Sequence, residues 1–442
     1  MLLRLLFSIS IFLGCSYGSA GRAQDAAAGT QIPAELSQYV DRPESVFDWE
    51  IEQEKELFGG KIYHLSVTSQ TWQDIVWKHA ILICEPAEVK YNDHTLLYVS
   101  GGNIGQQPSK ADEQQMMLVA GLCKARVAML FQVPNQPLMG GRNEDDLITE
   151  SFLRYLESGD PSWPLLFPMV KSAVKAMDVV QALAQQKEWA GTTASFVITG
   201  ASKRGWTSWL TPVVDKRVVA TAPIVIDSLN FRAQMKHQID TWGKYSEQIR
   251  DYTSKGLVIE GEEKPRETAL RRMTDPYTYL PILQLPKLLV NGTNDPYWVA
   301  DAMKFYWDDV QGPKNILQVP NAGHNLEGGL PLAMSTISAF FRHVASGTPM
   351  PALTWDRSVA EGQATLTVNA TQTPVSAYAW TATSDDKDFR DEKWQSQSLT
   401  LDGNRATTVL TLPAPRHAAH FVSMQFEFEG ITYSLSTLIF RD

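Results

Sequence analysis

The sequence predicts an α/β protein: a mainly parallel sheet with helices on both faces, followed by a smaller all-β domain. Three observations predict it. From Leu96 to Val319 short, continuously apolar runs alternate with helical stretches, as buried parallel strands and their crossover helices do. Before Leu96 the pattern is the period-two alternation of half-buried strands. After Pro351 the helix signals vanish and Thr, Val and Ser dominate short alternating segments.

The apolar runs are Leu96–Val99, Val127–Phe131, Phe196–Thr199, Ile224–Ile226, Leu288–Val290 and Ile316–Val319. Helices are expected over 165–188, 203–214, 301–311 and 329–346. Ahead of them, Phe47–Ile51 and Lys61–Val67 read as antiparallel edge strands joined through Gly59-Gly60. Residues 229–280 break the rhythm with amphipathic chain bearing Met235, Trp242 and Tyr245, which implies a helical, lid-like insertion over the sheet's carboxyl edge. The main domain is thus expected over 33–348. A β-sandwich is expected over 351–442, built from Thr365–Val368, Ala377–Trp380, Thr407–Leu412 and Phe421–Phe426, with its Ser, Asp and His side chains on the surface.

A chain of 442 residues exceeds what one hydrophobic core usually organises, in keeping with more than one domain. Its formal net charge of -10, with no offsetting Lys/Arg block, repels a phosphate backbone and argues against nucleic acid as a partner. Residues 1–20 have the form of a signal peptide: Arg4, an apolar run to Leu13, then small residues before cleavage after Ala20 or Ala23. The run is too short to span a bilayer. Phe12-Leu13-Gly14-Cys15 also resembles a lipobox, which would anchor the chain by a lipid at Cys15. Both outcomes imply export, to a secreted or periplasmic location. Of three cysteines, Cys84 and Cys123 alone remain for the mature protein, either as two buried thiols on separate strands or as a disulfide. No cysteine spacing fits a metal site, and no cofactor is expected.

The segment with the most chemical content is Gly200-Ala201-Ser202-Lys203-Arg204-Gly205. A strand ending in a sharp Gly-Ala-Ser turn and passing at once into a helix holds a hydroxyl above a sheet. The same turn aims the first N–H groups of the helix at whatever binds beside Ser202, which makes the Lys203 N–H an oxyanion donor. The usual elbow has a second glycine two residues after the serine; here Arg204 stands there, and the glycine comes one residue later, at Gly205. Asp295 follows the Leu288–Val290 strand and His324 follows Ile316–Val319, so serine, acid and base occur in the chain order that an α/β-hydrolase fold requires. A hydroxyl becomes a nucleophile when an imidazole removes its proton, and a carboxylate then fixes the imidazole's tautomer. Of eight histidines, His324 alone lies in a Gly-bracketed loop after a late strand. Asp227, after Ile224–Ile226, is the rival acid or a substrate contact. Gly101 and Gly102 occupy the loop that supplies the second oxyanion donor, and Arg204 is a candidate to bind a substrate carboxylate. The substrate is expected to be a small molecule or a peptide.

With those residues in view, Gly200–Thr207, Ala222–Asp227 and Asn291–Asp295 resemble the PhoPQ-activated pathogenicity-related proteins, most specifically in Ala-Ser-Lys-Arg-Gly-Trp. The resemblance runs from about residue 35 into the C-terminal domain. It implies an α/β-hydrolase core with an extra β-domain, export, and Ser202, Asp295 and His324 as a triad by position. It leaves three readings: an esterase or amidase, a secreted signalling protein that keeps the fold, and a peptidase. For the last, Gly292-Thr293-Asn294-Asp295 is similar to the acid loop of prolyl-oligopeptidase-type enzymes.

Overall fold

A computed structural model describes residues 31–442. The expected signal peptide, its cleavage sites and the lipid anchor at Cys15 lie outside the described residues. The sheet begins with three antiparallel strands, β1 (Asp48–Leu57), β2 (Gly60–Trp72) and β3 (Ile75–Glu85), after a short helix α1 (Glu35–Val40). Six parallel strands follow: β4 (His94–Val99), β5 (Arg126–Leu130), β6 (Ser195–Ala201), β7 (Val218–Ile224), β8 (Lys287–Gly292) and β9 (Lys314–Val319). Their order across the sheet is β1-β2-β3-β5-β4-β6-β7-β8-β9. The chain therefore winds one way from β4 to β5 and the other way from β6 onward. That reversal opens a crevice beyond the carboxyl ends of β4 and β6, where open α/β sheets bind ligands.

The helices are α2 (Lys110–Cys123), α3 (Glu144–Ser158), α4 (Leu166–Gln186), α5 (Lys203–Val214), α6 (Phe231–Trp242), α7 (Arg250–Ser254), α8 (Pro265–Thr274) and α9 (Leu330–Ser346). The segment between β7 and β8 carries α6, α7 and α8. Helix α5 shows how closely the elements approach. A Cβ on Gly205 would lie 2.7 Å from Ile226 Cγ2 and 2.9 Å from the Ile224 carbonyl oxygen. The glycine one place later than usual is thus what lets α5 lie against the ends of β6 and β7.

Three local expectations need correction. Residues 301–311 do not form one α-helix but two 3-10 turns, Ala302–Phe305 and Trp307–Asp309. The Asp301 carboxylate that would cap a helix is bonded instead to His237 at 2.6 Å and Lys304 at 2.7 Å, and Tyr306 is drawn to Asp227. The strand read at Ile224–Ile226 begins earlier and ends at Ile224; Thr221 and Pro223 interrupt the apolar run that would have revealed it. Cys123 closes α2 rather than lying on a strand, and it and Cys84 are buried free thiols.

Beyond Pro351 the chain forms two antiparallel sheets, β10 (Leu353–Ala360), β11 (Gln363–Ala370) and β14 (Arg405–Thr411) in one, and β13 (Gln395–Leu399), β12 (Ser376–Ser384), β15 (His417–Phe428) and β16 (Ile431–Ser436) in the other, with β17 (Phe440–Arg441) on β15. Their apolar faces are continuous with the main core: Leu366, Val422 and Leu435 belong to the same buried cluster as Val197, Ile337 and Phe340. His343 of α9 meets the Tyr433 hydroxyl at 3.0 Å across that junction. His420, expected on the surface, is buried beneath Arg357 and Asp442; burial, aided by Arg357, lowers its pKa to about 4. Among the described residues no helix is long and apolar enough to cross a membrane.

Replacing Gly205 with Ala is expected to destabilise the protein by about 1–3 kcal/mol, the usual range for overpacking a filled interior. Urea unfolding monitored by tryptophan fluorescence measures it. An unchanged midpoint would show that α5 has room to move.

Candidate active site

Ser202 sits where β6 turns into α5, with φ 58 and ψ −121, a conformation that costs a non-glycine residue on the order of 1–3 kcal/mol. Its N–H donates to the Ile224 carbonyl at 2.9 Å, and its carbonyl accepts from Trp206 N at 3.0 Å. The turn is fixed at both ends by β7 and α5. Lys203, as the first residue of α5, has an N–H with no acceptor inside the helix.

Ser202 Oγ lies 2.8 Å from His324 Nε2, and His324 Nδ1 lies 2.8 Å from Asp295 Oδ2. Asp295 Oδ1 accepts from the Tyr297 N–H at 2.8 Å, so the carboxylate is held at both oxygens. The Tyr297 ring lies 4.1 Å, centroid to centroid, from the His324 ring. The Asp295 and His324 loops can approach because Gly292 ends β8: a Cβ there would collide with the Ala322 and Gly323 carbonyl oxygens. Three residues chosen from loop position are therefore brought into one hydrogen-bonded line.

The C-terminal domain reaches this line. The loop between β12 and β13 offers the carbonyls of Phe389, Arg390 and Glu392 to Asn294 Nδ2, at 3.2, 3.1 and 2.7 Å. It also exchanges hydrogen bonds with Asn321, from Trp394 N at 2.8 Å and to the Trp394 carbonyl at 3.0 Å. Asn294 precedes Asp295, and Asn321 opens the His324 loop, so one segment holds both.

The other predicted site residues are placed differently. Arg204 is buried and turned away from Ser202: it forks onto Glu144 at 2.6 and 2.7 Å and donates through Nε to the Val133 carbonyl. Burial works against the Glu144 carboxylate, but the Arg204 fork outweighs it and lowers the pKa to about 2. The Arg204 guanidinium lies against Gly101, and Gly101 and Gly102 belong to a loop tied to the chain after β5 through Gln132 N donating to the Gly101 carbonyl at 2.8 Å. Arg204 thus braces the expected oxyanion loop, with its donors already engaged. Asp227 is buried behind the site, where it accepts from the Tyr306 hydroxyl; it does not touch His324 and is not in the cavity wall. Of the two carboxylates, Asp295 is the one within hydrogen-bond distance of His324 Nδ1.

Sequence reasoning left several groups around Ser202 unclaimed. The cavity above it, about 400 Å³ with its mouth, is walled by Trp206, Tyr297, Trp298 and, from the segment between β7 and β8, Phe231, Ile249 and Tyr252. Asp145, also in the wall, pairs with Lys203 Nζ at 2.6 Å and accepts from the Tyr252 hydroxyl at 3.1 Å. Burial disfavours the Lys203 ammonium, yet Asp145, Tyr297 and Glu144 together raise its pKa. Trp206 could have been singled out by its spacing, one helical turn after Ser202. No local signal marks Asp145, which comes from a helix far away in sequence.

A nucleophile-type turn after a central parallel strand, with acid and base on loops after later strands, defines the α/β-hydrolase fold. Solved structures agree: the acetyl xylan esterase of Paenibacillus sp. R4 matches 70% of this chain and 95% of its own, with a TM-score of 0.50 at 13% identity. Acetyl xylan esterase 1 of Thermoanaerobacterium sp. JW/SL YS485 matches 72% of this chain and 95% of its own, also with a TM-score of 0.50 at 13% identity. The chain belongs to the PhoPQ-activated pathogenicity-related protein family, whose profile matches residues 36–390. It is also 33% identical over 377 residues to autocrine proliferation repressor protein A of Dictyostelium discoideum, covering 80% of this chain and 75% of that one.

Asp227 provides a pH-dependent check on this layout. Burial, reinforced by Asp295 and Asp301 and only partly opposed by Tyr306, raises its pKa to about 7. The folded state therefore holds this proton where the unfolded chain, with an ordinary value of about 4, has lost it. Stability contributed by the neutral carboxyl is complete below about pH 4 and is lost as pH rises toward 7. Asp227→Asn should remove that slope, so its thermal midpoint should exceed that of the wild type by more at pH 8 than at pH 5. Parallel pH profiles for the two proteins would contradict the assignment.

Proposed function

We propose that this chain is an exported serine hydrolase that cleaves an ester or amide bond through an acyl-enzyme on Ser202. The observation that carries the reading is the unbroken line of two 2.8 Å hydrogen bonds from Ser202 through His324 to Asp295 beside a cavity. With Asp295 accepting from Nδ1–H, Nε2 is left as the base that takes the serine proton. Ser202 Oγ then bonds to the substrate carbonyl carbon, and the oxygen's growing charge is met by the Lys203 N–H and by N–H groups of the Gly101–Gly102 loop. His324 returns the proton to the leaving alcohol or amine as that bond breaks. Water, deprotonated by the same imidazole, releases the acid and restores the hydroxyl.

Export follows from the leader read over residues 1–20, completed by cleavage or by lipid attachment at Cys15. The segment 229–280 serves as the lid, because its Phe231, Ile249 and Tyr252 close one side of the cavity. A second reading rests on the name of the Dictyostelium relative, a proliferation repressor. In it the protein signals from outside the cell and its Ser202 does no chemistry.

A fluorophosphonate probe should label the wild type and leave Ser202→Ala unlabelled. With nitrophenyl esters and dipeptidyl amides as a panel, kcat/KM should fall by at least about 10⁴-fold in Ser202→Ala and about 10³–10⁴-fold in Asp295→Asn. Equal labelling of the two proteins would remove the enzymatic reading. Full biological activity in Ser202→Ala would favour the signalling one.

A further inference from the structure

A second cavity abuts the one above Ser202. It opens between α3, α6 and α8 and encloses about 780 Å³, its mouth included. Trp206, Ser228, Phe231 and Tyr252 line both cavities, so the two share part of a wall. Its remaining wall is largely apolar, with Phe152, Leu156, Met235, Leu257, Ile259 and Leu270. We infer that this cavity is a subsite for an apolar part of the substrate, a medium-length alkyl or single aromatic group on one side of the scissile carbonyl, with an adjacent oxygen bonding to Ser228.

Charge in the wall does not compete with that assignment, because each charged side chain is already satisfied. Arg271 forks onto Glu263 at 2.8 and 2.9 Å. Arg232 donates to the Gly261 carbonyl at 2.9 Å, and Glu267 accepts from Lys264 N at 2.7 Å. Asp275 accepts from Phe231 N at 3.0 Å and Tyr277 N at 2.9 Å. The polar ends of the two largest shared rings are likewise engaged, Trp206 Nε1 with the Thr274 carbonyl at 2.6 Å and Tyr252 OH with Asp145 at 3.1 Å. The rings themselves are what a ligand would meet.

Ser228 is the exception and gives the subsite its polar point. It is 4% exposed, stands in the wall common to both cavities, and its Oγ has no hydrogen-bond partner among the described residues. A hydroxyl so placed can donate to an oxygen of a bound ligand. The apolar wall favours an apolar group, which leaves water on entering it. Both features lie next to Ser202 and are met by one substrate whose apolar group fills the second cavity.

The inference rests on Ser202 being the nucleophile, and the experiment separates the two. With the purified mature chain, kcat/KM is measured for p-nitrophenyl acetate, butyrate, hexanoate and octanoate, and for acetate esters of alcohols of the same lengths. One of the two series should rise by about two- to fourfold per methylene over its first members, the factor that burying a methylene supplies. Leu257→Trp and Leu156→Trp, both at half-buried wall positions, should each cut the long-to-short selectivity ratio by about tenfold while their thermal midpoints stay near that of the wild type. Flat profiles in both series, with Ser202-dependent turnover of acetate, would overturn the inference and leave the hydrolase reading standing. No Ser202-dependent turnover of any ester or of the dipeptidyl amides would overturn both.

Discussion

The architecture of the site depends on one strained residue. Ser202 is held at φ 58 by bonds that belong to the sheet and the helix rather than to the turn itself. Released from them, a serine has no reason to stay there, and its hydroxyl would leave the line to His324. Much of the surrounding sequence answers that constraint. Gly205 brings α5 close enough to hold the turn. Arg204, in the place where an elbow usually has glycine, sends its guanidinium sideways to Glu144 and the Val133 carbonyl, and so joins the Ser202 turn to the start of α3 and the chain after β5.

The second constraint is the approach of two loops that come from adjacent strands. Gly292 permits it, and the loop between β12 and β13 secures it by binding Asn294 and Asn321 together. The C-terminal sheets share the core of the main sheet through α9 and β16, so the clamp is part of the same packed body as the strands it serves. A base and an acid on separate loops need such support, since misplacing either by about 1 Å is enough to cost on the order of 10²-fold in rate.

The sheet was legible because its strands are apolar on both faces and end in turn residues, as at Ile198–Gly200 and Val290–Gly292. The three residues of the hydrogen-bonded line were legible from chain order, since each follows a recognisable strand. What escaped notice depends on contacts between distant segments. Asp301 could not be known to bond His237 and Lys304 instead of capping a helix, so the two 3-10 turns read as one helix. Arg204 and Asp227 looked available to substrate, whereas Glu144 and Tyr306 occupy them from about 60 and 80 positions away in the chain. The second cavity had no local signature at all, because its walls come from α3, α6, α8 and Ser228 in the loop after β7.

The claim on which the account turns is that Ser202 forms a covalent bond to the acyl group. Rapid mixing with p-nitrophenyl acetate, an acid quench and peptide mapping by mass spectrometry test it directly. The account predicts one acetyl group on the peptide that carries Ser202 and none on that peptide from Ser202→Ala. An acetyl group on a different side chain, or ester turnover with no acylated peptide at any mixing time, would contradict it.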